Sequence, residues 1–133
     1  MKKLKKVIIP AAGLGTRMLP ATKIIQKEML PLAGKPIIHH IVNEAIKAGF
    51  TEIILVSNEN KISSESYFET SFELETALSK ISKKSLLKEM REISNLKAKI
   101  INVKQKKPKG LGHAILTAES LILYEPFAVI LPD

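Results

Sequence analysis

The sequence predicts an α/β fold with parallel strands, and three patterns support this prediction. Short β-branched runs recur along the chain, each ends at a proline, a glycine or a polar residue, and amphipathic helical segments separate them. Runs of this kind are typical of strands that are covered by helices on both faces. The chain therefore begins as a right-handed β-loop-α-β unit.

The strands are predicted from the apolar runs at residues 5–10, 51–57, 98–103 and 127–131. Pro36 is a favourable first residue for a helix, and apolar residues recur from there at helical spacing until Gly49. A last helix is predicted over residues 112–123. This order of elements gives one sheet with helices packed on it.

The long polar segment at residues 58–95 predicts a helical hairpin inserted between two strands. Thr70 and Glu73 have the spacing of a capping box, in which two side chains satisfy the amides at a helix start. Apolar residues at helical spacing follow in both halves of the segment. We interpret it as an insert of the same domain.

The sequence stops at Asp133, directly after a run that the pattern predicts to be a central, buried strand. Domains seldom end at such a position, because a doubly wound domain continues from it into another loop and helix. We therefore expect the native sequence to extend further.

The composition limits the classes of function. The chain has 133 residues, 45% of them hydrophobic, and no apolar run approaches the length of a membrane span. The formal net charge of +8 is spread over several segments and aromatic residues make up only 5%, so we expect no nucleic-acid partner and no membrane. The absence of cysteine fits a cytoplasmic protein. We expect the full-length protein to form a homo-oligomer.

A glycine-rich loop follows the first strand, with the sequence AAGLGTRMLPATK from Ala11. Glycines allow backbone amides to approach phosphate oxygens, and Arg17 adds a fork of donors. Met18 stands where the dinucleotide fingerprint needs a third glycine, and no Walker A motif occurs. A phosphate-binding loop and a purely structural tight turn both remain open from these residues alone.

Four further residues extend the predicted site beyond this loop. Lys27 places a second cation near Arg17, and two cations suit a triphosphate. Gln105 and Gly110 lie between the third strand and the next helix, where an amide could bind a base edge, although an ordinary turn fits as well. Asp133 follows a parallel strand, where a carboxylate can hold Mg2+ or act as a turn residue.

Five motifs together resemble the bacterial UTP:glucose-1-phosphate uridylyltransferases. In chain order they are VIIPAAGLGTRMLPATK, KEMLP, FELE, KGLGHA and FAVILPD. The resemblance implies a Rossmann-like nucleotidyltransferase fold, with three α/β/α layers and a mainly parallel mixed sheet. It also implies that residues 1–133 are the nucleotide-binding part of one domain, that the sugar-binding half is absent, and that this part alone is inactive.

The resemblance implies a reaction and a role for each matching residue. UTP and glucose 1-phosphate would give UDP-glucose and pyrophosphate, with Mg2+ as cofactor. Arg17 and Lys27 would be the catalytic residues, and Asp133 the metal ligand. The remaining matches would bind substrate: Ala11, Ala12 and Gly13 at the uridine, Gly15 and Thr16 at the triphosphate, and Gln105 and Gly110 at the uracil.

One departure from the family and three rival functions remain. Gln26 stands where the family usually has proline, so we expect the loop carrying Lys27 to be less rigid here. A thymidylyltransferase or another nucleotidyltransferase of the same fold would differ in base and sugar. A non-catalytic nucleotide-binding paralogue and a nucleic-acid binding module are rivals from other classes.

Overall fold

The computed structural model describes residues 3–11, 13, 15–58, 64–107 and 109–132. The elements in chain order are β1 (Lys6–Ala11), β2 (Pro31–Leu32), β3 (Lys35–Pro36), α1 (Ile37–Lys47), β4 (Glu52–Asn58), α2 (Phe72–Lys80), α3 (Lys84–Ser94), β5 (Lys99–Gln105), α4 (Leu111–Thr117), α5 (Glu119–Ile122) and β6 (Phe127–Val129). Short 3-10 turns lie at Thr16–Met18, Ala21–Lys23, Lys27–Met29 and Ser64–Phe68.

A parallel sheet forms the centre of the molecule. Within the described residues it has four strands in the order β5-β4-β1-β6. Lys6 pairs with Glu52 at the amino end of β1, and Ala11 pairs with Ser57 at its carboxyl end. Consequently the loops that follow β1, β4 and β5 all leave from the same edge of the sheet.

Alternate residues of β1 divide the core between two faces of the sheet. Val7 and Ile9 pack with the buried face of α1, whereas Ile8 packs with the buried residues of α4 and α5. Each of these three β1 side chains is fully buried. Helices on both faces of a parallel sheet give three layers, so the predicted α/β fold is confirmed.

The last predicted strand differs from the expectation of a central, buried position. It is shorter than 127–131, and in the described part of the chain it pairs with β1 alone. Phe127 and Val129 are 38% and 37% exposed. The expectation concerned a longer sequence, so the central position of this strand stays a prediction.

Two helix predictions also need correction. The capping box at Thr70 is wrong, since α2 starts at Phe72 and the hydroxyl of Ser71 accepts from the amide of Leu74. The helix predicted over 112–123 is divided at Ala118 into α4 and α5. Two helices, α2 and α3, lie between β4 and β5. No helix in the described residues is long and apolar enough to cross a membrane.

Candidate functional site

A cavity of about 460 Å³ opens at the carboxyl edge of the sheet. Its lining comes from the ends of β1, β5 and β6, from the turn at Lys27 and from the start of α4, and consists of Pro10, Gly13, Lys27, Glu28, Gln105, Gly110, Leu111, Ala114, Leu131 and Pro132. Parallel α/β sheets bind ligands at this edge. Four predicted site residues therefore meet in one cavity, namely Gly13, Lys27, Gln105 and Gly110.

The glycine loop after β1 is held by a threonine further along the chain. Gly15 has a left-handed φ of 66°, and its carbonyl oxygen accepts from Thr22 Oγ1 at 2.5 Å. Thr22 is fully buried, and a Cβ added to Gly15 would lie 2.9 Å from its Cγ2. Gly15 is therefore needed for the shape of the loop. The sequence analysis predicted only a phosphate-binding role for it.

The other predicted residues of this loop do not line the cavity. Ala11 is buried at the end of β1, while Thr16 and Arg17 are exposed on the 3-10 turn Thr16–Met18. Ala12 and Asp133 lie outside the described residues. The structure thus places the Arg17 guanidinium at the surface of the loop.

The turn that carries Lys27 is fixed by the residue before it. Gln26 is 1% exposed, and its Nε2 donates to the carbonyl oxygen of Ala11 at 3.1 Å. The backbone of Gln26 has φ −61° and ψ 141°, values that proline would also adopt. This side-chain bond connects the turn to β1, so the expectation of a looser loop finds no support in these contacts.

Glu28 is a cavity residue to which the sequence analysis gave no role. It is only 5% exposed although its neighbours in the 3-10 turn Lys27–Met29 are half-buried. A carboxylate beside a lysine in a short polar motif looks like a solvated surface residue. The one feature of the sequence that could have indicated a place for Glu28 in the site was its position next to Lys27 in KEMLP.

Gln105 and Gly110 occupy the second glycine region as predicted, with one addition. Gln105 is the last residue of β5, 4% exposed, and its Nε2 lies 2.7 Å from His113 Nδ1. Gly110 has φ 92° and precedes the first residue of α4. The bend at Gly110 brings His113 back over the end of β5, a contact that the sequence did not predict.

No group of three or more His, Cys, Asp or Glu residues suited to a metal occurs among the described residues. The residues directly before Asp133 do approach the site, because Leu131 and Pro132 line the cavity. Oxygen ligands are the type that Mg2+ prefers. The described part of this segment therefore reaches the cavity through Leu131 and Pro132.

Comparison with known proteins identifies the family. A family model described as "Nucleotidyl transferase" matches residues 6–133. The chain belongs to the nucleotidyl transferase family. The match includes all of the cavity-lining segments, so the cavity belongs to the region that defines the family.

Individual relatives of this nucleotidyl transferase chain have more specific names than the family. The UTP–glucose-1-phosphate uridylyltransferase of Escherichia coli (strain K12) is 56% identical over 131 residues, which is 98% of this chain and 43% of the relative. A solved structure of UTP-bound UGPase from Acinetobacter baumannii is 47% identical with a TM-score of 0.93, covering 98% of this chain and 46% of that one. A UDP-glucose pyrophosphorylase complexed with UDP-glucose is 50% identical with a TM-score of 0.80, again covering 98% and 46%.

These relatives confirm the resemblance stated from the motifs. The chain spans less than half the length of each of the three. The names of these relatives mention UTP, glucose 1-phosphate and UDP-glucose as compounds that those proteins bind or act on.

Proposed function

We propose that this chain provides the nucleotide-binding part of a UTP:glucose-1-phosphate uridylyltransferase. The observation that carries the proposal is the cavity at the carboxyl edge, where Lys27 meets Gln105 and the backbone of Gly13 and Gly110. A cation and an amide in one cavity suit a ligand with a phosphate end and a base end. The similarity to a UTP-bound structure over 98% of the chain supports UTP as that ligand.

The two ends of the cavity suggest separate tasks. Gln105 and Gly110 would bind the uracil, and Ala11, Ala12 and Gly13 would line the uridine. Lys27 would contact the reacting phosphates. Gly15 and Thr16 would bind the triphosphate, with Arg17 at the leaving pyrophosphate, because an exposed guanidinium can bind two phosphate oxygens at once.

The proposed reaction needs little besides positioning and charge. The phosphate oxygen of glucose 1-phosphate is already anionic, so it can attack the α-phosphorus of UTP in line without a general base. The bond from the α-phosphorus to the bridging oxygen breaks, and pyrophosphate leaves with that electron pair. Cations and backbone amides lower the barrier by stabilising charge as it develops on the phosphates.

Magnesium is part of the proposal through Asp133. Bound beside the phosphates, Mg2+ would neutralise their charge. The approach of Leu131 and Pro132 to the cavity supports this assignment, because the next residue along the chain is Asp133. Lys27 and Arg17 would keep their own roles in holding the phosphates.

The test replaces the matching 131 residues of the Escherichia coli relative with this chain and measures UDP-glucose and pyrophosphate formation. We expect turnover with UTP and glucose 1-phosphate, and much slower turnover with dTTP or ATP. A Lys27→Ala version of the same chimera is the matched control and should lose most of the activity. A folded chimera that forms no UDP-glucose, or that uses ATP as well as UTP, would contradict the proposal.

The 133-residue chain alone gives a second measurement. We expect it to bind Mg-UTP weakly and to form no UDP-glucose, since its relatives are more than twice as long. Substantial turnover by a monomeric chain would show instead that these residues contain a whole active site.

A further inference from the structure

We propose that His113 sets the orientation of the Gln105 amide and thereby makes the cavity select uracil over cytosine. The inference deepens the proposed function and depends on it, because it concerns the base end of the same cavity. It assigns His113 as a positioning residue that acts through Gln105.

The geometry of the pair fits a bond in which the Gln105 amide donates to the His113 ring. Gln105 Nε2 lies 2.7 Å from His113 Nδ1. An amide nitrogen donates but has no lone pair with which to accept, so Nδ1 must be the acceptor. In this arrangement the lone pair of Nδ1 faces the amide. In this arrangement one amide hydrogen of Gln105 is committed to His113.

Both partners are held in place by their surroundings. Gln105 is 4% exposed at the end of β5, where its backbone pairs with Asn58 of β4. His113 lies in the first half of α4, and its carbonyl oxygen accepts from Thr117 Oγ1 at 2.8 Å. The neighbouring Ala114 is 3% exposed against the sheet. The backbones of both residues are therefore held by regular secondary structure, and the Gln105 side chain is buried as well.

A fixed amide distinguishes the two pyrimidines by their hydrogen-bonding edges. Uracil has a donor at N3 beside carbonyl acceptors, whereas cytosine has an acceptor at N3 beside an amino donor. An amide turned so that Oε1 meets N3 accepts from uracil and is repelled by cytosine. An amide that is free to rotate by half a turn can match either base, so the bond to His113 would keep the version that matches uracil.

The test measures the dissociation constants of Mg-UTP and Mg-CTP for the 133-residue chain by NMR titration, which also follows weak binding. His113→Leu removes the acceptor. We expect the preference for UTP over CTP to fall by roughly tenfold, the size of one lost bidentate base contact. His113→Asp should restore the preference, because a carboxylate can only accept from Gln105. His40→Leu, the same substitution outside the cavity, is the matched control and should leave the preference unchanged.

The outcomes separate the two proposals. A parent chain that binds ATP as tightly as UTP would contradict the proposed function whatever His113 does. A parent that prefers UTP, with a folded His113→Leu variant that keeps the same preference, would overturn the role of His113 alone. If His113→Leu does not fold, His113→Phe decides: its ring is similar in shape but has no acceptor, so an unchanged preference there would equally overturn the inference.

Discussion

The amide of Gln26 donates from Nε2 to the carbonyl oxygen of Ala11 across 3.1 Å, and both residues are almost completely buried. This bond connects the end of β1 to the residue before Lys27. The backbone of Gln26 has a φ of −61°, a value that the ring of proline would also impose. The Gln26 side chain stabilises the same conformation through its hydrogen bond to Ala11.

We expect Gln26→Met to destabilise the fold by about 1–3 kcal/mol, because the buried oxygen of Ala11 loses this donor. Gln26→Pro should cost less, since proline restricts the unfolded chain to a φ that the folded chain already has. Urea unfolding followed by far-ultraviolet circular dichroism measures both, as the chain has no tryptophan. A lower urea midpoint for the proline variant than for the methionine variant would contradict this explanation.

The two glycines of the first loop should respond differently to the same change. Gly15→Ala should lower stability by about 1–2 kcal/mol, because its φ is left-handed and the new Cβ would meet Thr22. Gly13→Ala should leave the melting temperature unchanged, since no described atom beyond its two chain neighbours lies within 4 Å of its added Cβ. It should weaken Mg-UTP binding, because Gly13 lines the cavity. Thermal unfolding and NMR titration of both variants check the contrast, and the reverse pattern would refute it.

Arg17→Ala should reduce turnover of the chimeric enzyme by about 100-fold or more, the usual size for loss of a group that stabilises developing charge. Stability should hardly change, since Arg17 is exposed. Lys23→Ala is a suitable control, because Lys23 is another exposed cation on the next 3-10 turn. Equal turnover of the two variants would remove Arg17 from the pyrophosphate site.

Lys6 gives a prediction at the opposite edge of the sheet. It is 6% exposed, and its Nζ donates to the carbonyl oxygen of Leu121 at 2.7 Å with Glu52 and Glu125 nearby at 3.7 and 3.6 Å. Lys6→Met should cost about 1–3 kcal/mol, because it removes this donor from the oxygen of Leu121. The exposed Lys5 serves as control through Lys5→Met. Urea midpoints should differ between the two variants while Mg-UTP affinity stays equal.

His39 predicts how stability depends on pH. Burial, reinforced by Lys35 and His40, lowers the pKa of His39, whose Nδ1 lies 2.9 Å from Tyr67 Oη. Between that lowered pKa and histidine's ordinary value of about 6.5, the unfolded chain binds more protons than the folded chain. This contribution is therefore complete above pH 6.5 and is lost as the pH falls. Urea midpoints at pH 8 and pH 5 should differ less for His39→Gln than for the parent, and an equal difference would contradict the assignment.

Sequence reasoning predicted the interior of the sheet well, because a β-branched run such as the one around Ile8 has few other places to lie than between two helical layers. It predicted less about strand neighbours. Phe127 and Val129 are apolar enough for a central strand, yet pairing on one side or two depends on distant parts of the chain. The start of α2 was misplaced by one residue because Thr70 and Ser71 are both good caps.

In the candidate site, too, residues with a local signal were predicted, whereas contacts between distant residues were not. Lys27 and Gln105 were predicted from motifs whose chemistry is local, and the structure brings both to the cavity. The bond from Gln26 to Ala11 spans fifteen residues, and no local pattern indicates it. Gly15 was predicted as a ligand-binding residue, but its sequence context could not reveal that it also packs against the buried Thr22.

The hairpin insert connects β4 to β5, and these two strands pair at seven positions, from Glu52 with Lys99 to Asn58 with Gln105. None of the residues of α2 is buried, whereas α3 contributes the buried Ile93. Because doubling the length of a flexible connection costs only about 0.6 kcal/mol, the far end of the hairpin can change length at little expense. It is a place where a tag, a fluorophore or a small inserted domain could be attached without altering the sheet or the cavity at its carboxyl edge.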